Sequence, residues 1–170
     1  MNDDTHTNPR PKPAVAVVSA CLLGQPCRYD GASKGRADVL RWRARQLAAG
    51  MVVVAVCPEE LGELGTPRPA AELTGGDGAA AWRGEATVRR VQDHHDVTAA
   101  FQRGARRALA LAPTVTVAML KARSPSCGVG RTHIDGAVRS GDGVFAALLR
   151  HRGVEMRTEE GLEDGEGAGS

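Results

Sequence analysis

The chain has 170 residues and a mass of 17.8 kDa, enough for one domain with a buried core and too little for a second full domain. Its apolar fraction is 42%, its charged fraction is 25%, and no run approaches the ~18 apolar residues of a membrane span, so collagen-like, coiled-coil and transmembrane classes are excluded. The net charge of +2 conceals a basic body: without Asp3, Asp4, Arg10, Lys12 and the five acids of residues 158–170, 20 basic and 13 acidic residues remain, a net of +7.

That charge suits a polyanion or an anionic small molecule, although an Arg-rich composition produces it as readily. Residues 1–12 and 158–170 are polar and rich in Pro or Gly, so both are expected to be disordered tails around one domain over 13–157. The segment MNDDTHTNPRPKP lacks the apolar core of a secretory signal, which points to the cytoplasm and to reduced cysteines. Aromatic residues make up 3%, too few for a base-stacking platform along a single strand.

In chain order, AVAVVSACLL over 14–23 has the length and composition of a strand buried on both faces. A polar turn leads to a helix over 36–49, with Leu40, Ala44, Leu47 and Ala48 at helical spacing and Gly50 as its C-terminal cap. MVVVAV over 51–56 is the clearest strand. The Gly- and Pro-rich region 58–93 gives no firm element beyond a short strand or helix start at 85–91. A second helix is predicted over 96–112, with Asp96 as N-cap and Val97, Phe101, Ala105, Ala108 and Ala112 on one face. TVTVAML over 114–120 is a third strand, Asp135-Gly136 suits a hairpin turn, and a helix over 142–152 capped by Gly153 leads to a last strand at 154–157. Strands alternating with helices predict an α/β class, a single Rossmann-like layered domain with a mostly parallel sheet.

Cys21 ends the first strand, Cys57 follows the second and Cys127 lies in the loop after the third, so a parallel sheet would bring all three to its carboxyl edge, where open α/β folds bind ligands. Cys27 stands close by in CLLGQPC. No two of them have the spacing of a zinc knuckle or of a ferredoxin run, and free cysteine is also a common core residue. Their neighbours are not core neighbours, however: CPEE sets carboxylates beside Cys57, and SPSCG sets hydroxyls and a Gly around Cys127. Thiolate sites suit zinc or an iron-sulfur cluster, and three ligands leave one position open.

Seven segments together, SACLLGQPCRYDG (19–31), VCPEELG (56–62), TPRPAAEL (66–73), GGDG (75–78), DVTAAF with the following RGA (96–105), LKARSPSCG (120–128) and GDGVFAALLRHRG (141–153), resemble the bacterial thiouracil desulfurase family. The resemblance runs in order over about 15–157. It implies a [4Fe-4S] cluster held by three cysteines, here Cys21, Cys57 and Cys127, with a fourth iron free of protein ligands to take the sulfur of a thiolated pyrimidine. It also matches Glu59 and Ser124 to functional polar residues. Departures are His94-His95, where relatives more often carry Gly and an acid, and Glu63 in a turn that is usually Gly-rich. Cys27 stands where relatives need no cysteine.

On that resemblance a soft iron binds the sulfur as a Lewis acid, water attacks the ring carbon, and sulfur leaves as sulfide with no net electron transfer. Glu59, two residues from Cys57, serves as general base or proton shuttle, with Ser124 and Ser126 either bonding substrate or stabilising the turn. Arg68 of TPRP faces a substrate carbonyl or makes a structural salt bridge, and GGDG and GDG read as a turn and a helix start. The expected substrate is a free thiolated base or nucleoside. The rivals are a four-Cys zinc module and an enzyme acting on thiolated tRNA.

Overall fold

Residues 10–162, those described by the computed structural model, alternate short strands and helices. In chain order these are β1 (Val15–Ser19), α1 (Ala37–Ala48), β2 (Val52–Val56), α2 (Pro58–Leu61), β3 (Ala71–Thr74), α3 (Gly78–Trp82) and β4 (Thr87–Arg90). There follow α4 (Thr98–Leu111), β5 (Val115–Leu120), β6 (Arg131–Ile134), β7 (Ala137–Ser140), α5 (Val144–His151) and β8 (Glu155–Thr158). One sheet is all parallel in the order β2-β1-β5-β8; the second is mixed, in the order β4-β3-β6-β7.

The parallel sheet is covered on both faces, which is why β1 reads as an unbroken apolar run. Ala16 and Val18 point to Val39 and Trp42 of α1, while Val17 points to the opposite layer with Phe101 and Ala105 of α4 and Phe145 of α5. This is the predicted α/β class with a mostly parallel sheet. β1 stops at Ser19, four residues earlier than the apolar run, because Ala20–Leu23 wind into a 3-10 turn closed by Gly24 at φ 96°. Gly50 and Gly153 both follow helices at positive φ, and the next residue bonds back across the turn (Met51 N to Gln46 O, 3.1 Å; Val154 N to Leu149 O, 3.1 Å), as the caps read from sequence require.

Several expectations change. Helix α1 buries Val39 and Trp42, and the stripe of Leu40, Ala44, Leu47 and Ala48 faces solvent, because the sheet lies on the other side of the helix. Helix α4 begins at Thr98 with Val97 in the N-cap position; Asp96, one residue earlier, accepts from Thr98 N at 2.9 Å. Region 58–93 contributes α2, β3 and α3 where no element was expected, and β4 within the 85–91 segment read as a short strand or helix start. Asp135 and Gly136, both at positive φ, join β6 to β7 as a two-residue hairpin. The folded part also runs past 157: Thr158 completes β8, and residues 159–162 form a 3-10 turn with Glu159 buried. Residues 1–9 and 163–170 of the expected tails lie outside the described residues. The two departures from the family pattern, Glu63 (φ 65°) and His94 (φ 60°), both sit in the left-handed region that glycine adopts most easily.

Close backbone approach fixes where α4 sits. A Cβ on Gly104 would lie 1.7 Å from the Pro58 carbonyl oxygen, and one on Gly62 would lie 2.3 Å from the Ala100 carbonyl oxygen, so α4 rests directly on α2, the turn that follows Cys57. Gly104→Ala must therefore push the two apart, and overpacking of this kind costs about 1–3 kcal/mol. Chemical denaturation of the variant should show that loss; a midpoint equal to that of the parent would mean the two backbones are not so tightly apposed.

Candidate functional site

Cys21 lies on the 3-10 turn after β1, Cys57 directly after β2 at the start of α2, and Cys127 in the loop after β5. Ser19 pairs with Val56 and Val18 with Met119, so the three strands end together and their loops meet. β1 and β5 are neighbours whose connections leave to opposite faces, through α1 on one side and α5 on the other, the switch point at which doubly wound sheets take ligands. A cavity of about 360 Å³ opens there. Cys21, Cys27, Cys57, Cys127, Glu59 and Ser124 all line it, so the cysteines and the two polar residues matched to the family pattern are brought to one place.

The four thiols are free of disulfides. Cys27 sits between Cys21 and Cys57, in hydrogen-bond contact with both, and Cys57 Sγ donates toward the Cys27 carbonyl oxygen at 3.6 Å. The bond to Cys21, partly offset by that to Cys57 and reinforced by burial, raises the Cys27 thiol to about 11. The contact with Cys27, and then burial, holds the Cys57 thiol far above its ordinary range, while burial pushes Cys127 up to about 12. Burial and mutual contact thus favour the protonated form of these three thiols. Among the described residues no three His, Cys, Asp or Glu side chains are already grouped around one point as a single metal ion would require. Thiols on three separate loops around a common cavity do fit a multinuclear thiolate-bound group, in which each cysteine takes a different metal atom.

The Cys127 loop is fixed from both ends. Ser124 Oγ accepts from the amides of Ser126 (3.2 Å) and Cys127 (3.1 Å), so its first role is to shape the turn that presents Cys127. The start of α5 grips the other side: Val144 N donates to Pro125 O, and Phe145 N and Ala146 N donate to Ser126 O, all within 2.8–3.1 Å. Gly143 permits the approach, since a Cβ there would lie 2.5 Å from the Ser126 carbonyl carbon. GDG is therefore a helix start built for contact, and in GGDG Asp77 caps α3 by accepting from Ala80 N at 2.9 Å.

Glu59 is the only carboxylate among the described residues lining the cavity. Its Oε1 lies 3.4 Å from Arg68 Nε, and its Oε2 accepts from Ser126 Oγ at 3.3 Å. Arg68 is buried, lines the cavity and makes the salt bridge that TPRP allowed. Ser126 Oγ also lies 3.1 Å from Ser124 Oγ and 3.7 Å from Cys127 Sγ. Sequence reasoning missed Lys121 and Glu159: Lys121 lines the cavity, ion-paired to buried Glu159 at 2.8 Å, and Glu159 also accepts from Ala122 N at 2.8 Å. Nothing marked Glu159 in an acidic stretch that reads as tail. Elsewhere, Arg103 and Arg107 of α4 pair with Glu63, and Arg106 stacks over Trp82 at 4.9 Å.

A family model described as 2-thiouracil desulfurase matches residues 16–161. The chain belongs to this family. It is 36% identical over 155 residues to the uncharacterized protein YbbK of Bacillus subtilis (strain 168), covering 88% of this chain and 99% of that one. Among solved structures it is similar to the [4Fe-4S]-dependent thiouracil desulfidase TudS, with 42% identity, a TM-score of 0.71, and coverage of 89% of this chain and 94% of that chain. No described helix is long and apolar enough to cross a membrane.

Asp142 ties this edge to the fold. It accepts from Gly130 N at 2.7 Å and pairs with both Nε and Nη2 of Arg150; despite the opposing effect of burial, the guanidinium holds its carboxyl below the usual range. A depressed carboxyl contributes stability above the unfolded value of 3.8 and loses it as pH falls through the folded one. Asp142→Asn should cost about 1 kcal/mol near neutral pH, Arg150 being half exposed. Denaturation at pH 7, 5 and 3.5 should show the gap from the parent narrowing with acid, and a gap that widened would contradict the assignment.

Proposed function

We propose that this protein removes sulfur from a small thiolated pyrimidine of the 2- or 4-thiouracil type, converting substrate and water to uracil and hydrogen sulfide with no net electron transfer. The observation that carries this reading is the meeting of three loop cysteines and one carboxylate around a cavity at the switch point, in a chain of the 2-thiouracil desulfurase family. The donors suit the [4Fe-4S] cluster named for the similar TudS, and Cys21, Cys57 and Cys127 would hold it, with Cys27 beside them as a non-ligand. When bound, the cluster supplies a thiophilic Lewis-acid iron that withdraws charge from the carbon-sulfur bond.

The protein's own part is positional and acid-base. The Ser124 turn and the start of α5 hold Cys127 at the cavity. Glu59, on the cavity wall and within reach of the Ser126 hydroxyl, takes the proton from water as its oxygen bonds to the ring carbon, and returns one to the departing sulfur. Such help is commonly worth about 10² to 10⁴ in rate. Free thiols fit a reducing compartment, and we place the reaction in the cytoplasm.

Replacing Cys21, Cys57 or Cys127 by Ser should abolish both the brown absorbance near 400 nm of anaerobically purified protein and its turnover, whereas Cys27→Ala keeps most of each. Loss of iron in Cys27→Ala with retention in one of the others would reverse the ligand assignment. Glu59→Ala should keep its iron and sulfide while turnover falls by about 10² or more; near-normal turnover would remove Glu59 from the chemistry.

The cavity of about 360 Å³ must take the cluster as well as the substrate, and three arginines of α4 are engaged within the chain, which together favour a small thiolated base over thiolated tRNA. Activity on 2-thiouracil should therefore change little between 50 and 300 mM salt, while RNA contacts would give a steep log-log dependence. A large low-salt advantage in kcat/KM for thiolated tRNA, lost as salt rises, would overturn the small-substrate reading.

A further inference from the structure

Arg68 is the most enclosed charge at the cavity, its side chain 3% exposed against 17% for its partner Glu59. Its guanidinium reaches separate segments of the chain. Nη2 donates to the Cys27 carbonyl oxygen at 2.9 Å; Nη1 donates to Gly65 O at 2.7 Å and to Thr66 Oγ1 at 3.1 Å; Nε faces Glu59 at 3.4 Å. Its own amide donates to Tyr29 O at 2.7 Å. Only a rigid fork of donors meets so many acceptors at once, which an ammonium does not provide.

The bond lengths have an order. The contacts to the backbone carbonyls are short and those to the carboxylate are longer, so Arg68 is anchored on the loops and directs Glu59 from there. The other oxygen of Glu59 meets Ser126 Oγ, which neighbours Cys127 Sγ. An unbroken polar chain therefore runs from the Cys27 loop through Arg68 and Glu59 to the Cys127 loop. We propose that Arg68 is a positioning residue for desulfuration: anchored on Cys27, Gly65 and Thr66, it aims the Glu59 carboxylate into the cavity. The proposal rests on the role of Glu59 argued above and adds the group that makes the role possible.

A double-mutant cycle on the cluster-loaded enzyme tests this, with Arg68→Met, Glu59→Gln and their combination assayed for kcat and KM on 2-thiouracil, for iron per chain, and for thermal midpoint. In the parent background Arg68→Met should retain iron and lower kcat by about tenfold to a hundredfold, the scale of a misplaced catalytic group, with KM little changed. Arg68→Lys should recover part of that loss. In the Glu59→Gln background the same change should alter kcat by less than about twofold, because its effect passes through the carboxylate. Equal losses in both backgrounds, or an unchanged kcat in Arg68→Met, would overturn the proposal. Should Arg68→Met fail to bind iron, Arg68→Lys takes its place in the cycle and is read by the same two criteria. A loaded parent enzyme that released no sulfide would sink the functional reading instead; the midpoints then decide the pair, since strictly additive shifts would refute the coupling and non-additive ones would support it.

Discussion

The parallel register of β1 with its two neighbours sets where the chemistry assembles. With Ser19 opposite Val56 and Val18 opposite Met119, the residues that follow each strand emerge at one edge, and cysteines more than 100 positions apart become neighbours. Both faces of β1 are buried, so a slip of one residue would turn Val17 toward α1 and Val18 toward α4 and α5, and the cost of that exchange defends the register. Lys121 N donates to Ser19 Oγ at 3.0 Å just past the ends of the strands, where the chain of β5 turns toward Ser124.

Glycine then permits contacts that side chains would forbid. Gly104 brings α4 onto α2 behind Cys57, and Gly143 brings the first turn of α5 onto the loop of Cys127. Each contact joins a helix of the core to a segment bearing a cysteine, so the rigidity of the packed layers passes directly to the cavity wall. The mixed sheet supports the same purpose from the side: α3 meets α5 through Gly78, and Trp82 Nε1 donates to Val144 O at 2.8 Å at the start of α5. Buried and half-buried polar groups along this edge are matched to partners, Glu59 with Arg68 and Ser126, and Glu159 with Lys121 and Ala122 N. That is the condition for keeping charges in a partly dry site.

Those same enclosed surroundings make the thiols of Cys27, Cys57 and Cys127 reluctant to ionise. Cys27 and Cys127 hold their protons to about 11 and about 12, and Cys57 is raised as well, so a bound metal group must displace protons to take thiolate ligands. The free energy of any such binding is thereby tied to pH.

How much of this was legible depended on whether a signal was local. β1, β2, β5, the two glycine-capped helices and the Asp135-Gly136 hairpin rest on apolar runs and on backbone conformations that particular residues favour, and these read directly from the chain. The strands and helices within 58–93 run only four or five residues, too short for a period to show, and they exist because β3 and β4 pair in the mixed sheet, α4 packs on α2 and α5 packs on α3. Which face of α1 is buried was equally invisible: Leu40 and Leu47 make a stripe of helical spacing, yet the sheet lies against Val39 and Trp42.

The sequence by itself determined the class of fold, the edge at which the cysteines gather, and the motifs that mark the family, since strand order and loop position follow from local chemistry. Only the tertiary structure decided the partners. Arg68 bonds Cys27 across 41 residues, Ser126 reaches Glu59 across 67, and Glu159 returns from an acidic stretch to Lys121, because hydrogen bonds between distant segments depend on distances that folding alone creates.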